Sequence, residues 1–186
     1  MTDKRTQIEN EAISAIKRSG LGSVSFRTLA DAVGVKSASV HYHFPTKADL
    51  AQSVVRRYTE DFEARLREIR SGSADLGERL QHFAALFEPG AEARELCLCG
   101  MLAAEVENLD AGTRSALGSF FSSAERWLVE IFEDARDADS ALPPEALARL
   151  VMAGLEGASM IDRVRREGEH LDAWRAFLRT LTSSRS

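Results

Sequence analysis

Apolar residues recur at intervals of three and four residues along nearly the whole chain, which is the spacing of one face of an α-helix. No segment alternates apolar and polar residues as a half-buried strand would. Glycine and proline interrupt the pattern at Gly20, Gly34, Pro45 and the Pro143-Pro144 pair, and these residues commonly mark the ends of helices. The sequence therefore predicts an all-α fold in which an N-terminal head of three short helices precedes a C-terminal bundle of longer ones.

Capping residues indicate where the first helices begin and end. Ser25 and Ser37 can each cap a short helix. Pro45 disfavours helical geometry at the residue before it, and Thr46 followed by Asp49 resembles a capping box that starts a long fourth helix. Further helices are expected over residues 76–87, 93–107, 113–135, 144–167 and 170–182, the first of them ended by Pro89-Gly90.

The charge of the chain is distributed unevenly. The 186 residues carry a formal net charge of −5, which is unusual for a protein that binds nucleic acid. Residues 1–57, however, hold nine Lys/Arg against five Asp/Glu, a net charge of +4, whereas the remainder carries −9. A basic head on an acidic body concentrates attraction for a polyanion at one end.

The composition gives no indication of a membrane or secreted protein. The chain contains no run of 18 apolar residues that could span a bilayer, and the polar N-terminus lacks the apolar centre of a secretory signal. The two cysteines, Cys97 and Cys99, are too few and too close to staple a secreted fold. We therefore expect a cytoplasmic protein with no membrane partner.

Residues 25–50 form the most informative block. Two short helices joined by a tight turn at Gly34 match the helix-turn-helix geometry. Residues 32–48 contain no Asp or Glu, and the second helix offers hydrogen-bond donors and basic groups. This composition suits a recognition helix that enters the major groove of DNA.

Residues 8–57 resemble the DNA-binding domain of the TetR family of bacterial repressors. The block carries the family pattern R-x-L-A-x-x-x-G-V from Arg27 to Val35, and then a short helix that ends in His41-Tyr42-His43-Phe44. The departure is His41, because the family commonly has tyrosine at this position. The resemblance implies base or phosphate contacts by Arg27, base-edge and backbone contacts by the recognition helix, and phosphate contacts at its end and at the start of the fourth helix. The residues concerned are Arg27, Lys36, Ser37, Ser39, His41, Tyr42 and Lys47.

The resemblance also implies the organisation of the whole chain. Residues 1–46 would be the helix-turn-helix domain, and residues 47–186 would sense a ligand and dimerise, with a homodimer formed through the last two helices, about 144–182. The implied function is a repressor that binds a pseudo-palindromic double-stranded operator and is released by a small-molecule effector. It implies no cofactor, no resident metal and no catalytic residue. Two histidines at i and i+2 of a helix point to different faces, which also argues against a metal site at His41 and His43.

Residues 95–110 suggest how the effector is sensed. The C-L-x-G sequence that begins at Cys97 resembles a subgroup of TetR-like regulators that respond to electrophiles, quinones or acrylate-like compounds, in which this cysteine is the sensitive one. Arg94 would lower the pKa of such a thiol, and the adjacent Glu95 would raise it. Cys97 and Cys99 lie on a predicted helix, facing different ways, and a buried cysteine is more often inert. Non-covalent ligand binding therefore stays open beside covalent sensing.

Aromatic and Met residues of the C-terminal part are candidates for the wall of a ligand cavity, with Glu105 or Arg126 as the polar anchor. The same residues at helical spacing could equally be core. The candidate wall consists of Phe62, Phe83, Phe87, Met101, Phe120 and Trp127.

Two other functions remain as alternatives. An enzyme would need Cys97 or Cys99 as nucleophile and a histidine as base, but none of the four histidines lies in a catalytic motif, and the chain has no phosphate-binding glycine loop. A constitutive or architectural DNA-binding protein would have a filled C-terminal core.

Overall fold

The computed structural model describes residues 3–88, 95–135 and 142–183. Within these ranges the chain is helical, without strands, and the prediction of an all-α fold is confirmed. The described helices are α1 (Lys4–Ser19), α2 (Phe26–Val33), α3 (Ser37–His43), α4 (Lys47–Gly72), α5 (Leu76–Ala85), α6 (Leu98–Ala103), α7 (Ala111–Asp134), α8 (Pro144–Arg165) and α9 (Glu169–Ser183), with 3₁₀ turns at Leu21–Ser23 and Val106–Asn108.

Three of the predicted helix boundaries are formed as the sequence indicates. The Ser25 hydroxyl accepts a hydrogen bond from the Thr28 N–H, and the Thr28 hydroxyl completes a capping box at the start of α2. Gly34 ends α2 in the left-handed conformation, with φ of 69°. The Asp49 N–H donates to the Thr46 hydroxyl oxygen at 3.1 Å, and the Thr46 N–H donates to the Asp49 carboxylate at 2.9 Å. Local side-chain hydrogen bonds therefore fix the starts of α2 and α4, and a left-handed glycine fixes the end of α2.

Two predicted helix starts are wrong. Ser37 is the first residue of α3, and the residue before the helix is Lys36, whose side chain makes no capping hydrogen bond. The helix expected over residues 93–107 is the shorter α6, preceded by Cys97 and followed by a 3₁₀ turn. After α6 the backbone bonds tighten to the i→i+3 type, with the Asn108 N–H donating to the Glu105 carbonyl at 2.8 Å, which ends the α-helix. Pro89-Gly90 and Arg94 lie outside the described residues.

The chain divides into two compact units. The first comprises residues 1–61 and 97–120, and the second comprises residues 62–96 and 121–186. Both α4 and α7 contribute their N-terminal parts to the first unit and their C-terminal parts to the second. The functional division into residues 1–46 and 47–186 stays a prediction, because compactness groups residues by contact and not by role.

In the first unit a buried carboxylate joins α1 to α4. Glu9 is only 6% exposed. Its Oε2 accepts from Nη1 of Arg57 at 3.1 Å, and its Oε1 accepts from the Ser53 hydroxyl at 2.7 Å and from Nε of Arg5 at 3.3 Å. A buried charge is tolerated when it is paired and fully hydrogen-bonded. These bonds hold α1 on α4, and Ile8 of α1 and Val54 of α4 are both fully buried.

In the second unit, α8 and α9 pack closely because α8 has a glycine at their contact. A Cβ on Gly154 would lie 2.1 Å from the Trp174 ring. The start of α9 is held from α8 by Asp162, which is 4% exposed and accepts from the N–H groups of His170 at 3.0 Å and Leu171 at 2.9 Å. The two helices therefore form one packed pair.

Candidate DNA-binding surface and sensing residues

The helix-turn-helix is built on a small apolar core in the first unit. Leu29 and Ala30 of α2 and Val40 of α3 are buried, as is Phe44 directly after α3. The turn between the helices is closed by the Val35 N–H, which donates to the Ala30 carbonyl at 2.9 Å. Since Val40 faces the core, the opposite side of α3 faces outward.

That outward side carries the predicted DNA contacts. Arg27, Lys36, Ser37 and His41 are exposed, Tyr42 is 84% exposed, and Ser39 is half-buried. The His41 ring packs edge-on against Phe26 of α2, with 4.6 Å between ring centroids. Five of the seven predicted residues are thus exposed on α2, on α3 or directly before α3, and Ser39 of α3 is half-buried.

The seventh residue, Lys47, lies at the start of α4. Its ammonium group donates to the Gly22 carbonyl oxygen at 3.4 Å. The nearest acidic residue after α3 is Asp49, and its carboxylate accepts hydrogen bonds from the N–H and hydroxyl of Thr46. A surface of donors and basic groups that contains no carboxylate between residues 32 and 48 can approach phosphates and the acceptor-rich edges of bases.

Four of the predicted sensing residues lie in the first unit. Cys97 is 6% exposed and Cys99 is fully buried, and the Tyr58 hydroxyl donates to the Cys97 sulfur at 3.8 Å. The Tyr58 ring lies 5.7 Å from that of Phe120, so Cys97 and Phe120 share an aromatic neighbour. The remaining two of this group, Met101 and Glu105, lie against the turn that follows α1.

The other four are the aromatic residues of the second unit, and they form one cluster. Phe83 stacks on Trp127 with 5.4 Å between centroids and 13° between planes. Phe62 and Phe87 pack around Phe83 at 6.1 and 5.5 Å. All four are buried, and the indole N–H of Trp127 has no hydrogen-bond partner among the described residues.

A groove of about 210 Å³ opens beside Trp127 within the second unit. Arg126, named from the sequence as a possible anchor, lines it together with exposed Arg67. The acidic residues of the groove already have partners, because Glu63 accepts from Ser123 and Glu130 from Arg70. The full lining is Glu63, Leu66, Arg67, Ser123, Arg126, Trp127 and Glu130.

The head and the fold both match one family. Residues 8–54 match the family model described as bacterial regulatory proteins, tetR family. The whole structure matches the crystal structure of a TetR transcriptional regulator from Legionella pneumophila with a TM-score of 0.90, at 27% identity and with 98% of each chain covered. Residues 8–54 therefore carry the DNA-binding domain of the TetR family.

The chain is also similar to curated repressors. The HTH-type transcriptional repressor KstR2 of Mycobacterium tuberculosis (strain ATCC 25618 / H37Rv) is 30% identical over 89 residues, which are 47% of this chain and 44% of that protein. The HTH-type nicotine-responsive transcriptional repressor HdnoR of Paenarthrobacter nicotinovorans is 31% identical over 74 residues, 40% of this chain and 38% of that protein. The chain thus spans less than half the length of the curated relatives that it matches. The matched family and these relatives are transcriptional regulators and not enzymes, in agreement with the prediction from the sequence.

Two further observations concern metals and membranes. Among the described residues, no three His, Cys, Asp or Glu side chains come together as a metal site would require. In the same part of the chain, no helix combines the length and the apolar character needed to cross a bilayer.

Sequence reasoning misses several residues that hold the site in place. Asp110, before α7, accepts from the Gln52 amide of α4 at 2.9 Å, and hydrogen bonds from the Thr113 hydroxyl and from the N–H groups of Thr113 and Gly112 hold the pKa of its carboxyl below the usual range despite burial. The Glu9 network and the bond between Glu105 and Gly22 are missed as well. Only Glu9 has a signal, since it is a charged residue flanked by the buried stripe of α1.

Proposed function

We propose that the protein is a transcriptional repressor that binds a pseudo-palindromic operator as a dimer and is released by a small molecule. The observation that carries this proposal is the exposed, carboxylate-free face of α3, which a buried helix-turn-helix core holds in place. In each protomer, α3 would enter the major groove, while Tyr42 and Lys47 would hold phosphates. The names of KstR2 and HdnoR as repressors support the direction of control. Such a regulator acts on the chromosome, which places it in the cytoplasm.

The last two helices are the proposed dimer interface. Their surface leaves several large apolar side chains exposed, among them Val164 at 83% and Leu150 at 49% of α8 and Phe177 at 43% of α9. A two-fold dimer through residues 144–182 would cover these side chains and present two copies of α3. Half-sites of an operator lie about 34 Å apart, one turn of DNA, which a single protomer cannot span.

We place the effector in the groove beside Trp127. Arg126 and Arg67 would hold a negatively charged group of the ligand, while the Trp127 ring would pack against its apolar part. The description of HdnoR as nicotine-responsive supports a small organic effector as a class. Because the aromatic cluster is closely packed, the ligand would have to displace one of its rings to enter more deeply. A constitutive regulator is the alternative that this close packing favours.

Covalent sensing at Cys97 is the second candidate mechanism. The Tyr58 hydroxyl donates to its sulfur, and a hydroxyl donor stabilises a thiolate relative to a thiol. The Cys97 sulfur would add to the β-carbon of an acrylate-like electrophile, so that an S–C bond replaces the π bond of its C=C group. The thiol proton would be lost to solvent, and the α-carbon would take up a proton from solvent. The adduct at this 6% exposed site would displace its neighbours.

DNA binding is tested first, by selecting duplexes from a random-sequence library with the purified protein. The selected duplex should bind more weakly as salt rises, because released counterions drive binding. Lys36→Ala should weaken binding about three- to tenfold, whereas Arg65→Ala, which removes an exposed positive charge elsewhere on α4, should change it less than twofold. Affinity that is the same at low and high salt would contradict the proposal.

The same assay distinguishes non-covalent binding in the groove from covalent sensing at Cys97. A panel of soft electrophiles is added to the complex of protein and selected duplex, with wild type compared with Cys97→Ser and Cys99→Ser. Covalent sensing predicts release from wild type and Cys99→Ser only. Equal release from all three proteins would remove Cys97 from the mechanism and leave the groove, where Arg126→Ala should abolish release by an anionic aromatic compound that releases wild type.

A further inference from the structure

Gly22 lies in the 3₁₀ turn between α1 and α2, and side chains from elsewhere in the first unit bind both of its backbone polar groups. Its N–H donates to Oε2 of Glu105 at 3.1 Å. Its carbonyl oxygen accepts from Nζ of Lys47 at 3.4 Å. The turn therefore connects the segment after α6 to the first residue of α4.

The backbone of this turn leaves room for the carboxylate. Gly20 has φ of 78° and ψ of 167°, a region that essentially only glycine adopts. A Cβ at Gly20 would lie 2.0 Å from Oε1 of Glu105. Glycine at this position thus allows Glu105, which is half-buried, to reach the Gly22 N–H.

The two side chains form charged hydrogen bonds to the two backbone polar groups of Gly22. A carboxylate accepts from its N–H, and an ammonium group donates to its carbonyl. Hydrogen bonds to charged groups are stronger than those between neutral groups, and bonds in a chain strengthen one another. Lys47 has three N–H donors, so the bond to Gly22 leaves two of them for a DNA phosphate.

We propose that Glu105 is a positioning residue for DNA binding, which acts through Gly22 to hold Lys47 in the orientation that meets a phosphate. Glu105 touches no DNA in this arrangement. It fixes the turn, the turn fixes the ammonium group, and a shift of the segment around α6 would release both. The inference rests on the proposed function, because Lys47 is assigned there to the operator backbone.

The test is a double-mutant cycle on the duplex selected by the wild-type protein. Glu105→Ala removes the hydrogen-bond acceptor, whereas Glu105→Gln keeps an acceptor and removes the charge. The ratio of the dissociation constants of these two variants for the duplex therefore isolates the contribution of the hydrogen bond. Glu105→Ala should bind the duplex about two- to tenfold more weakly than Glu105→Gln, the value of one hydrogen bond. In a Lys47→Met background this ratio should fall to about one.

Glu107 supplies the matched control, since it is an exposed carboxylate of the adjoining 3₁₀ turn. Glu107→Ala and Glu107→Gln should bind the duplex equally. Hydrogen exchange of the Gly22 amide should accelerate in Glu105→Ala and not in Glu107→Ala, while thermal unfolding shows that all variants are folded.

Each outcome bears on a different step. Failure of the wild type to select any duplex overturns the proposed function and this inference with it. If a duplex is selected and the two Glu105 variants bind it equally, the positioning role is wrong and the proposed function stands. A ratio that persists in the Lys47→Met background overturns the link through Lys47.

Discussion

Gly20 has a backbone conformation that a residue with a side chain rarely adopts. Its φ of 78° and ψ of 167° lie where a side chain is strained by about 1–3 kcal/mol. Gly20→Ala should therefore lower the free energy of unfolding by at least about 1 kcal/mol, and its methyl group should push Glu105 away from the Gly22 N–H. Denaturant unfolding measures the first effect, and hydrogen exchange at Gly22 measures the second.

Gly34 provides the matched control for this prediction. It also has a positive φ, 69°, but nothing lies within 4 Å of its Cβ position. Gly34→Ala should therefore be destabilising through its backbone alone, by about 1–2 kcal/mol, and should leave the exchange of the Gly22 amide unchanged. Slow exchange at Gly22 in Gly20→Ala would show that Glu105 is not displaced.

For single residues, the sequence predicts only interactions between residues that are close along the chain. Gly20 and Gly34 are recognisable as helix ends, and Ser25 as a cap, because each of them acts on backbone groups within four residues. The bond from Gly22 to Glu105 joins residues 83 apart in the chain, so no local pattern indicates it. Glu105 was therefore predicted only as a possible ligand anchor, on its residue type.

At the scale of helices, Asp162 holds the start of α9 from within α8. Burial pushes the pKa of its carboxyl up, but hydrogen bonds from the N–H groups of Leu171 and His170 and from the His170 ring outweigh it and hold the pKa below its usual 3.8. A carboxyl whose folded-state pKa is lowered stabilises the fold above its unfolded pKa, and this contribution is lost as the pH falls through the folded value.

Asp162→Asn should thus lower the free energy of unfolding by about 1–2 kcal/mol at pH 7. The difference from wild type should narrow as the pH falls below about 4, because the carboxyl is then protonated first in the unfolded chain and, at still lower pH, in the folded protein. Denaturant unfolding at pH 7, 5 and 3 measures this difference in the free energy of unfolding. Asp172→Asn, an exposed carboxylate in the same first turn of α9, should differ little from wild type throughout. A deficit in Asp162→Asn that is the same at all three pH values would contradict the proposed origin.

The helices themselves were largely predictable, and their irregular ends were not. The long helices follow from apolar periodicity and from capping residues such as Thr46. The helix predicted over residues 93–107 fails because Cys97 lies before α6 and Glu105 lies after it, where the chain tightens into a 3₁₀ turn. The change from α-helix to 3₁₀ turn depends on packing against the head, and the apolar periodicity of the sequence contains no information about that packing.

For the whole molecule, the main expectation is a two-fold dimer through α8 and α9. The outward face of α8 exposes Leu150, Ile161 and Val164, and Gly157 lies between them with open space at its Cβ position. In a close interface between two copies of α8, that space would be occupied by the partner. A large side chain at Gly157 therefore tests the dimer without disturbing the protomer.

Gly157→Leu should weaken dimerisation at least about tenfold, because overpacking costs about 1–3 kcal/mol per site and a two-fold interface contains the substitution twice. Its affinity for the selected duplex should fall in parallel, since one protomer reaches only one half-site. Gly118→Leu is the matched control, because Gly118 is a helical glycine of α7 whose Cβ position is equally open. Sedimentation equilibrium and duplex binding measure both variants. If Gly157→Leu dimerises as tightly as Gly118→Leu, α8 does not pack closely against its copy, and the dimer must form through another surface.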